Sequence, residues 1–270
     1  MPEYITRIIT SMIILVLLGL LFYFGTNISF NITIYAISLV AYLEWLRLTS
    51  KSIIFLFPFL VLLLFLNNVL IINLEIFSYV CMFLWFILIV YLFYFRSFLQ
   101  LFIEKYSLMI GTFFISSFFV FLINFYPSSN TLVIENNLID NKIYFLFLIL
   151  MVTSVDLYAY VCGKLLGKNK IGSDISPNKT YEGYVGSFLL TFFTFYFISV
   201  QLNFYWTLLD SIILFIFILM AFFGDLFMSF IKRTYKKKDT GSLLPGHGGI
   251  LDRLDSYFSA LPVFFVWFLS

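Results

Sequence analysis

Charged residues are scarce in this sequence, and their scarcity excludes most kinds of soluble protein. Of its 270 residues, 11% are charged and 62% are hydrophobic, whereas a soluble domain carries about 25% charged residues. One globular core cannot bury so much apolar surface, so lipid must be the solvent for most of the chain. The short alternating segments of a membrane β-barrel are also lacking, and long apolar runs such as 53–66 and 212–223 occur in their place. We therefore predict an all-α, polytopic integral membrane protein.

The scarcity of cysteine and histidine narrows the available chemistry. Cys81 and Cys162 lie in apolar runs, where a cysteine is most often a small buried hydrophobic residue, and neither has the spacing of a metal site. His247 is the single histidine, so no Ser–His–Asp or Cys–His set indicates a covalent nucleophile. Only Arg7 precedes the first apolar run, and no small-residue cleavage site follows it. We expect this run to be a retained helix rather than a removed signal peptide.

Apolar residues form nine segments, most of them near the roughly 20 residues that a membrane-spanning helix needs. The segments cover residues 8–24, 28–46, 53–73, 76–95, 107–126, 143–163, 184–203, 206–231 and 256–270. If all of them span the membrane and the N-terminus is cytoplasmic, every basic residue except Lys142 lies on the cytoplasmic side. The positive-inside rule favours this arrangement, so we predict nine transmembrane helices with a cytoplasmic N-terminus.

Polar residues are unevenly distributed along the chain. The loops of residues 1–142 are short apart from 126–142, so this part is predicted to be a transmembrane scaffold. Residues 143–270 contain two longer loops, 164–183 and 232–255, and both are predicted to face the cytoplasm. We therefore assign catalysis to residues 143–270.

The loop 232–255 combines basic residues, glycines and acids. The basic residues of 232–238 are typical of a juxtamembrane patch that attracts anionic lipid. The segment after them is incompatible with a regular helix, and glycine-rich backbone can turn its N–H groups inward around phosphate oxygens. Asp252 and Asp255 follow at a spacing that places them on one face of a helix. The glycines and proline of this segment are Gly241, Pro245, Gly246, Gly248 and Gly249.

Asp225 and Asp156 are acids beside or within apolar runs, where a carboxylate needs a cation or a wet cavity. On a helix, Asp225, Ser229 and Lys232 share one face. Asp225 is therefore either the partner of an ion pair with Lys232 or Arg233, or a metal ligand. Mg²⁺ is usually held by one or two carboxylates together with substrate phosphates.

The loop before the seventh segment contains a further polar motif, Ser176-Pro-Asn-Lys-Thr-Tyr-Glu-Gly183. Lys179, Thr180 and Glu182 in this motif are candidates for substrate contacts, although the motif alone also fits an ordinary polar turn. His247 is flanked by glycines and basic residues, and we interpret it as a phosphate contact.

These motifs resemble those of the phosphatidate cytidylyltransferase family. The family's C-terminal pattern is Ser, then Lys-Arg, Lys-Asp, a small residue, Pro, His-Gly-Gly and Asp-Arg-hydrophobic-Asp. At matching spacing it is filled by Ser229, Lys232, Arg233, Lys238, Asp239, Gly241, Pro245, His247, Gly248, Gly249, Asp252, Arg253 and Asp255. The family's Asp-x-x-Ala-Tyr-x-x-Gly stretch is matched by Asp156, Ala159, Tyr160 and Gly163, and the 176–183 motif resembles its Ser-Pro-x-Lys-Thr-aromatic-Glu-Gly loop. Val155 and Leu157 stand where the family more usually has small residues.

The resemblance implies a membrane enzyme that transfers the cytidylyl group of CTP to phosphatidic acid, giving CDP-diacylglycerol and pyrophosphate for phospholipid biosynthesis. It implies Mg²⁺ as cofactor, with a second cation such as K⁺ left open. The expected location is a bacterial inner membrane, with the active site facing the cytoplasm. Membrane lipids are expected partners and nucleic acid is not, and a homodimer is left open.

The resemblance and the residue types together give an assignment of roles. Asp225 and Asp252 are expected to bind Mg²⁺, with Asp156 and Asp255 as further ligands or close neighbours. Phosphates are assigned to Lys232, Arg233, Lys238 and Arg253, and the predicted catalytic set also includes Asp239 and His247. Substrate contacts are assigned to Lys179, Thr180, Glu182, Ser229, Gly248 and Gly249.

Two other functions fit parts of the pattern. A transporter or flippase for an anionic substrate also has intramembrane acids and basic loops, but it would show paired features in two halves of the chain. A related transferase that uses CTP on a polyprenyl or archaeal-type lipid would share the nucleotide site. A purely structural membrane protein has no need of a glycine-rich anion loop flanked by acids.

Overall fold

A computed structural model of the protein describes residues 3–68, 73–125, 132–134, 137–139, 141–171, 175–176, 179–201 and 206–269. Nine α-helices occur within these ranges. They are α1 (Glu3–Phe24), α2 (Asn27–Leu48), α3 (Leu56–Asn68), α4 (Leu74–Tyr94), α5 (Arg96–Phe125), α6 (Asn141–Leu166), α7 (Tyr181–Gln201), α8 (Leu208–Thr234) and α9 (Leu251–Leu269). A 3₁₀ turn, Ile53–Phe55, precedes α3, and a short antiparallel hairpin of β1 (Leu132–Ile134) and β2 (Asn137–Ile139) lies between α5 and α6.

Each of the nine predicted apolar segments falls on one of these helices, and the prediction of an all-α membrane architecture is confirmed. In the described part of the chain, six helices are long and apolar enough to cross a membrane, namely α2, α4, α5, α6, α7 and α8. The helix α3 is apolar but shorter. The protein is therefore an integral membrane protein, while nine spanning segments and a cytoplasmic N-terminus stay predictions.

Local sequence signals explain where several helices begin and change direction. The Thr26 side chain accepts a hydrogen bond from Ser29 N at 3.3 Å, and Ser29 Oγ accepts one from Thr26 N at 2.8 Å, which is the reciprocal capping box of α2. Asn73 caps α4 by accepting from two backbone N–H groups. Residues 96–105, which precede the fifth predicted segment, are helical, and the non-helical backbone of Tyr106 separates them from the rest of α5.

The chain divides into two compact units, each described by itself. Unit one consists of Met1–Ile72, Arg96–Phe145 and Ile231–Leu254, and unit two of Asn73–Phe95, Leu146–Phe230 and Asp255–Ser270. Each unit therefore includes residues from both of the predicted halves, 1–142 and 143–270. The assignment of scaffold and catalytic roles to those halves remains a prediction.

Both units bury a tryptophan whose indole N–H is satisfied by a backbone carbonyl. In unit one, Trp45 Nε1 donates to Ser107 O at 2.9 Å, and Gly111 leaves room for its ring. In unit two, Trp85 Nε1 donates to Phe258 O at 3.0 Å. These bonds fix helix neighbours in an apolar interior, where an unpaired N–H would be costly.

In unit two, α6 packs closely against α7, and this packing depends on glycines of the 156–163 and 176–183 motifs. A Cβ atom at Gly183 would lie 2.8 Å from Ala159 O and 2.9 Å from Gly163 Cα. Ser187 Oγ also donates to Val155 O at 2.8 Å, which joins the same two helices. Small residues allow such an approach between membrane helices, so Gly163 and Gly183 have a packing role here.

Candidate functional site

Asp252 is the centre of a hydrogen-bonded cluster in unit one. It lies in the first turn of α9, and its Oδ1 atom accepts a hydrogen bond from Lys232 Nζ at 2.8 Å. Its Oδ2 atom accepts from Thr240 N, Thr240 Oγ1 and Gly249 N, each at 2.9 Å. The side chains of Asp252 and Lys232 are 8% and 12% exposed. We call Glu44, Lys232, Thr240, Gly249 and Asp252 the Asp252 cluster.

Glu44 belongs to this cluster and was not among the residues predicted from sequence. It lies on α2 and is 4% exposed. Its carboxylate accepts hydrogen bonds from Ile250 N at 3.0 Å and from Leu251 N at 2.9 Å. The Thr240 hydroxyl, which donates its proton to Asp252, lies 3.4 Å from the same carboxylate. The sequence signal that could have identified Glu44 is an acid within an apolar segment, which is a site hypothesis by default.

The glycines of the loop serve conformation and close contact. Gly246 and Gly248 have φ angles of +79° and +86°, a region that L side chains rarely adopt. The loop turns tightly between Leu244 and Gly248, and Leu244 N donates to Gly248 O at 2.9 Å. The phosphate cradle stays a prediction, and in this structure the Gly249 N–H donates to Asp252.

His247 is held by α1. Its Nδ1 atom lies 2.6 Å from Thr10 Oγ1, and that hydroxyl donates to Thr6 O at 3.0 Å. Since that hydroxyl donates its proton to Thr6 O, it accepts the hydrogen bond from His247 Nδ1–H. Arg253 Nη2 donates to His247 O at 3.2 Å, so two of the predicted catalytic residues are adjacent in space.

The basic turn after α8 has a defined conformation. Lys237 N donates to Lys232 O and Lys236 N to Arg233 O, both at 2.9 Å, and Lys236 has a φ of +54°. This is a Schellman C-cap with lysine in the position that glycine usually occupies. Lys237 Nζ donates to Arg47 O at 2.7 Å, at the end of α2.

Tyr235 anchors this turn, whereas three of the predicted catalytic residues in or beside it are exposed. Tyr235 OH donates to Ile103 O at 3.3 Å, and burial raises the pKa of its phenol, so the hydroxyl remains a donor. Arg233, Lys238 and Asp239 of the predicted catalytic set are exposed.

Asp225 forms the principal ion pair described in unit two. Its Oδ2 atom lies 2.6 Å from Lys179 Nζ, and its side chain is 31% exposed. Ser229 Oγ donates to Asp225 Oδ1 at 3.5 Å, one turn further along α8. The Lys179 ammonium also lies 5.1 Å from the centre of the Phe222 ring, a cation–π geometry. The structure thus brings together Asp225, Ser229 and Lys179, which sequence reasoning selected from two separate motifs.

The loop that carries Lys179 is itself ordered by two other predicted substrate residues. Thr180 Oγ1 accepts a hydrogen bond from Gly183 N at 3.1 Å and caps the start of α7. The Glu182 carboxylate accepts from Lys168 N at 3.1 Å, and from Asn169 Nδ2 at 2.8 Å. These contacts form within the loop, so Thr180 and Glu182 position Lys179 in this structure.

Asp156 and Asp255 also lie in unit two. Ser256 Oγ donates to Asp156 Oδ1 at 3.3 Å, and Ser256 N donates to Asp255 Oδ1 at 3.0 Å. Ser256, which is 1% exposed, is therefore an additional residue of this region that the sequence analysis did not select. Asp255 is 8% exposed, whereas Asp156 is exposed.

Packing of α8 against α9 in unit two sets the position of these acids. A Cβ atom at Gly224 would lie 2.6 Å from Asp255 O. Ser259 Oγ donates to Met220 O at 2.6 Å, one turn from Gly224. Because Asp225 follows Gly224 directly, this close approach fixes Asp225 relative to the start of the unit-two part of α9.

The donor set is chemically suited to Mg²⁺ without forming a complete protein cage. No group of three or more His, Cys, Asp or Glu side chains is placed to hold a metal among the described residues. Mg²⁺ requires fewer, because it usually retains waters and binds one or two carboxylates with substrate phosphates. Asp225 fits best, since its side chain is about a third exposed. Asp252 would have to bind through Oδ1, because Oδ2 already accepts three hydrogen bonds.

Comparison with known proteins agrees with the resemblance seen in the motifs. Residues 5–270 match the cytidylyltransferase family. A protein of Staphylococcus haemolyticus named phosphatidate cytidylyltransferase is 44% identical over 128 residues, which are 46% of this chain and 48% of that protein. Proteins of the same name from Staphylococcus epidermidis and Staphylococcus aureus are 44% and 43% identical over 124 residues, 44% of this chain and 46% of each relative. The matched stretch thus spans about half the length of these curated relatives.

Proposed function

Because the chain belongs to the cytidylyltransferase family, we propose that it transfers the cytidylyl group of CTP to phosphatidic acid and releases pyrophosphate. The names of the staphylococcal relatives support this choice of lipid substrate. The observation that carries the proposal is the Lys232–Asp252 pair, which holds a cation and the glycine loop in one hydrogen-bonded cluster. The pair supports the proposal because it joins residues of one family motif, among them a cation that is suited to binding phosphate.

The proposed reaction needs charge neutralisation more than proton transfer. A phosphate oxygen of phosphatidic acid, already ionised at neutral pH, forms a bond to the α-phosphorus of CTP. The bond from that phosphorus to the bridging oxygen breaks, and pyrophosphate leaves with the electron pair. An anion must therefore approach a polyanion, and preorganised positive charge lowers the barrier. No general base is required.

The side chains of the chain supply that positive charge in two places. In unit one, Lys232 is oriented by Asp252, and Arg233, Lys238 and Arg253 are exposed for contact with phosphates. In unit two, Lys179 is oriented by Asp225. We propose that these cations bind the phosphates of the two substrates.

Mg²⁺ is the proposed cofactor, and when bound it would neutralise phosphate charge. Asp225 and Asp252 are each proposed as ligands, and Asp156 and Asp255 as further ligands or neighbours. A second cation such as K⁺ and a homodimer stay open, as the resemblance left them. The proposed location is the bacterial inner membrane with the site on the cytoplasmic side, where a lipid headgroup and a soluble nucleotide can meet.

Release of pyrophosphate by the purified protein in detergent tests the proposal. We expect release only when CTP, phosphatidic acid and Mg²⁺ are all present, and loss of release in Asp252→Asn. For Asp225→Asn in the same assay, the matched control is Asp210→Asn, which removes the same charge about 22 Å away along α8 and should retain activity. An intact protein that releases no pyrophosphate would refute the proposal. Release with a polyprenyl phosphate instead of phosphatidic acid would keep the family chemistry and change the acceptor.

A further inference from the structure

Glu44 is a carboxylate in an unusual setting for a charged group. It lies in unit one on the apolar helix α2 and is 4% exposed, and the adjacent Trp45 and Leu46 are each 1% exposed. A buried carboxylate in such a helix is costly unless hydrogen bonds compensate for its lost hydration. Its donors are the backbone N–H groups of Ile250 and Leu251, both uncharged. The Thr240 hydroxyl lies 3.4 Å from the carboxylate.

These hydrogen bonds make Glu44 the cap of another helix. The helix α9 begins at Leu251, and the preceding residue, Ile250, has no side-chain acceptor. The first N–H groups of a helix lack partners within it, and Ser, Thr, Asp or Asn usually supplies one locally. Here Glu44 supplies it from α2, and its negative charge lies at the positive end of the α9 dipole.

Glu44 also joins the two ends of the glycine loop. Thr240 and Gly241 lie at one end, and Gly249 and Ile250 at the other. A Cβ atom at Gly241 would lie 2.7 Å from Glu44 Oε1, and one at Gly249 would clash with the same carboxylate. The Glu44 carboxylate thus leaves no room for a side chain at either position. Neither has a positive φ angle, so backbone conformation does not explain them.

The link from Glu44 to Asp252 passes through Thr240. Its Oγ1 atom lies 2.9 Å from Asp252 Oδ2 and 3.4 Å from Glu44 Oε2, and its N–H donates to Asp252. Asp252 in turn orients Lys232. A displacement of Glu44 would therefore be transmitted to the cation and the carboxylate that the proposed reaction uses.

We infer that Glu44 is a positioning residue for the glycine loop and for Asp252, although it contributes nothing directly to the reacting atoms. The effect of this role on catalysis rests on the proposed function. The ordering of residues 240–251 can be measured without an activity assay. The helix α2, which the sequence assigns to the scaffold, therefore takes part in organising the site.

Glu44→Gln is the sharpest variant. It preserves shape but replaces one acceptor oxygen by an NH₂ group, which would face the N–H of Ile250 or Leu251. We expect kcat to fall about 100-fold, the scale expected when catalytic groups are displaced by about 1 Å, with a smaller change in KM for CTP. Glu44→Asp retains the carboxylate and should recover part of kcat. The matched control is Glu75→Gln, an exposed glutamate in the first turn of α4, which should behave as wild type.

Hydrogen exchange of the folded protein, followed by mass spectrometry, provides the second readout. In Glu44→Gln we expect faster exchange in residues 240–251 and unchanged exchange in 208–230. Faster exchange throughout with a lowered Tm, or an unchanged kcat in a folded variant, would overturn the inference. If wild type releases no pyrophosphate, the proposed function fails by itself, and local exchange alone then decides whether Glu44 orders the loop. Should Glu44→Gln not fold, Glu44→Asp carries the same two measurements.

Discussion

The acids of unit one and unit two are positioned by different means. In unit one, Asp252 is 8% exposed and its oxygens accept four hydrogen bonds from Lys232, Thr240 and Gly249. In unit two, Asp225 is 31% exposed, and its position depends on helix packing at Gly224 together with the Lys179 ion pair. The two aspartates expected to bind Mg²⁺ are therefore not equivalent. Asp252 organises its surroundings, whereas Asp225 has more capacity to bind a cation.

The largest expected effects come from Asp225→Asn and Asp252→Asn. Both should lower activity, but they should differ in their effect on the free energy of unfolding. We expect each to lower kcat by about 100-fold or more, because the proposed reaction depends on electrostatic preorganisation. Asp252→Asn should also lower the free energy of unfolding by about 3 kcal/mol, because Lys232 loses its buried partner. Asp225→Asn should cost about 1 kcal/mol or less, since solvent screens its pair. Thermal unfolding and pyrophosphate release measure the two quantities, and equal losses of stability would break the comparison.

Removing the lysine partners of Asp252 and Asp225 tests the same difference between the two units. The expected losses in the free energy of unfolding are intermediate. Lys232→Met should lower the free energy of unfolding by about 2 kcal/mol, because it leaves a carboxylate that is 8% exposed without its charged donor. Lys179→Met should cost about 1 kcal/mol, from a partly screened pair and a cation–π contact with Phe222. Double-mutant cycles with the respective Asp→Asn variants give the coupling energy of each pair. A larger coupling for Lys179 and Asp225 would contradict the ranking.

A substitution that changes no charge tests whether packing positions the acids of unit two. Gly224→Ala should lower the free energy of unfolding by about 1–2 kcal/mol, because the new Cβ meets Asp255 O and Ser259. It should also reduce pyrophosphate release by displacing Asp225. Gly19→Ala is the matched control, since nothing lies within 4 Å of the added atom and alanine favours a helix. Equal behaviour of the two variants in thermal unfolding would show that packing at Gly224 is not tight.

The helical architecture follows from the sequence more readily than the details of each helix. Runs of about 20 apolar residues leave an α-helix as the conformation that satisfies the backbone in lipid, and each predicted segment falls on one helix. The helical stretch 96–105 and the break at Tyr106 were not predicted. Those residues are mixed in polarity, so hydropathy gives no signal there.

The candidate site was predictable in its residues but less so in its pairings. Motif spacing selected Lys179, Asp225, Lys232 and Asp252, and an ion pair of Asp225 with Lys232 or Arg233 was one of the two alternatives. The structure pairs Asp225 with Lys179 and Lys232 with Asp252. Residues 20 or more positions apart carry no local signal of which cation meets which carboxylate, because the folded helices decide it.

By itself, the sequence determined that this is a helical membrane protein, which family it resembles and where its polar residues concentrate. Those properties follow from composition, segment length and motif spacing, all of which are local. Only the tertiary structure decided that Glu44 caps α9 and that its carboxylate leaves no room for a side chain at Gly241 or Gly249. The first N–H groups of a helix lack partners within it, and they donate to any suitably placed carboxylate, whichever helix carries it. When another helix supplies the cap, the residues just before the capped helix need not contain a capping motif.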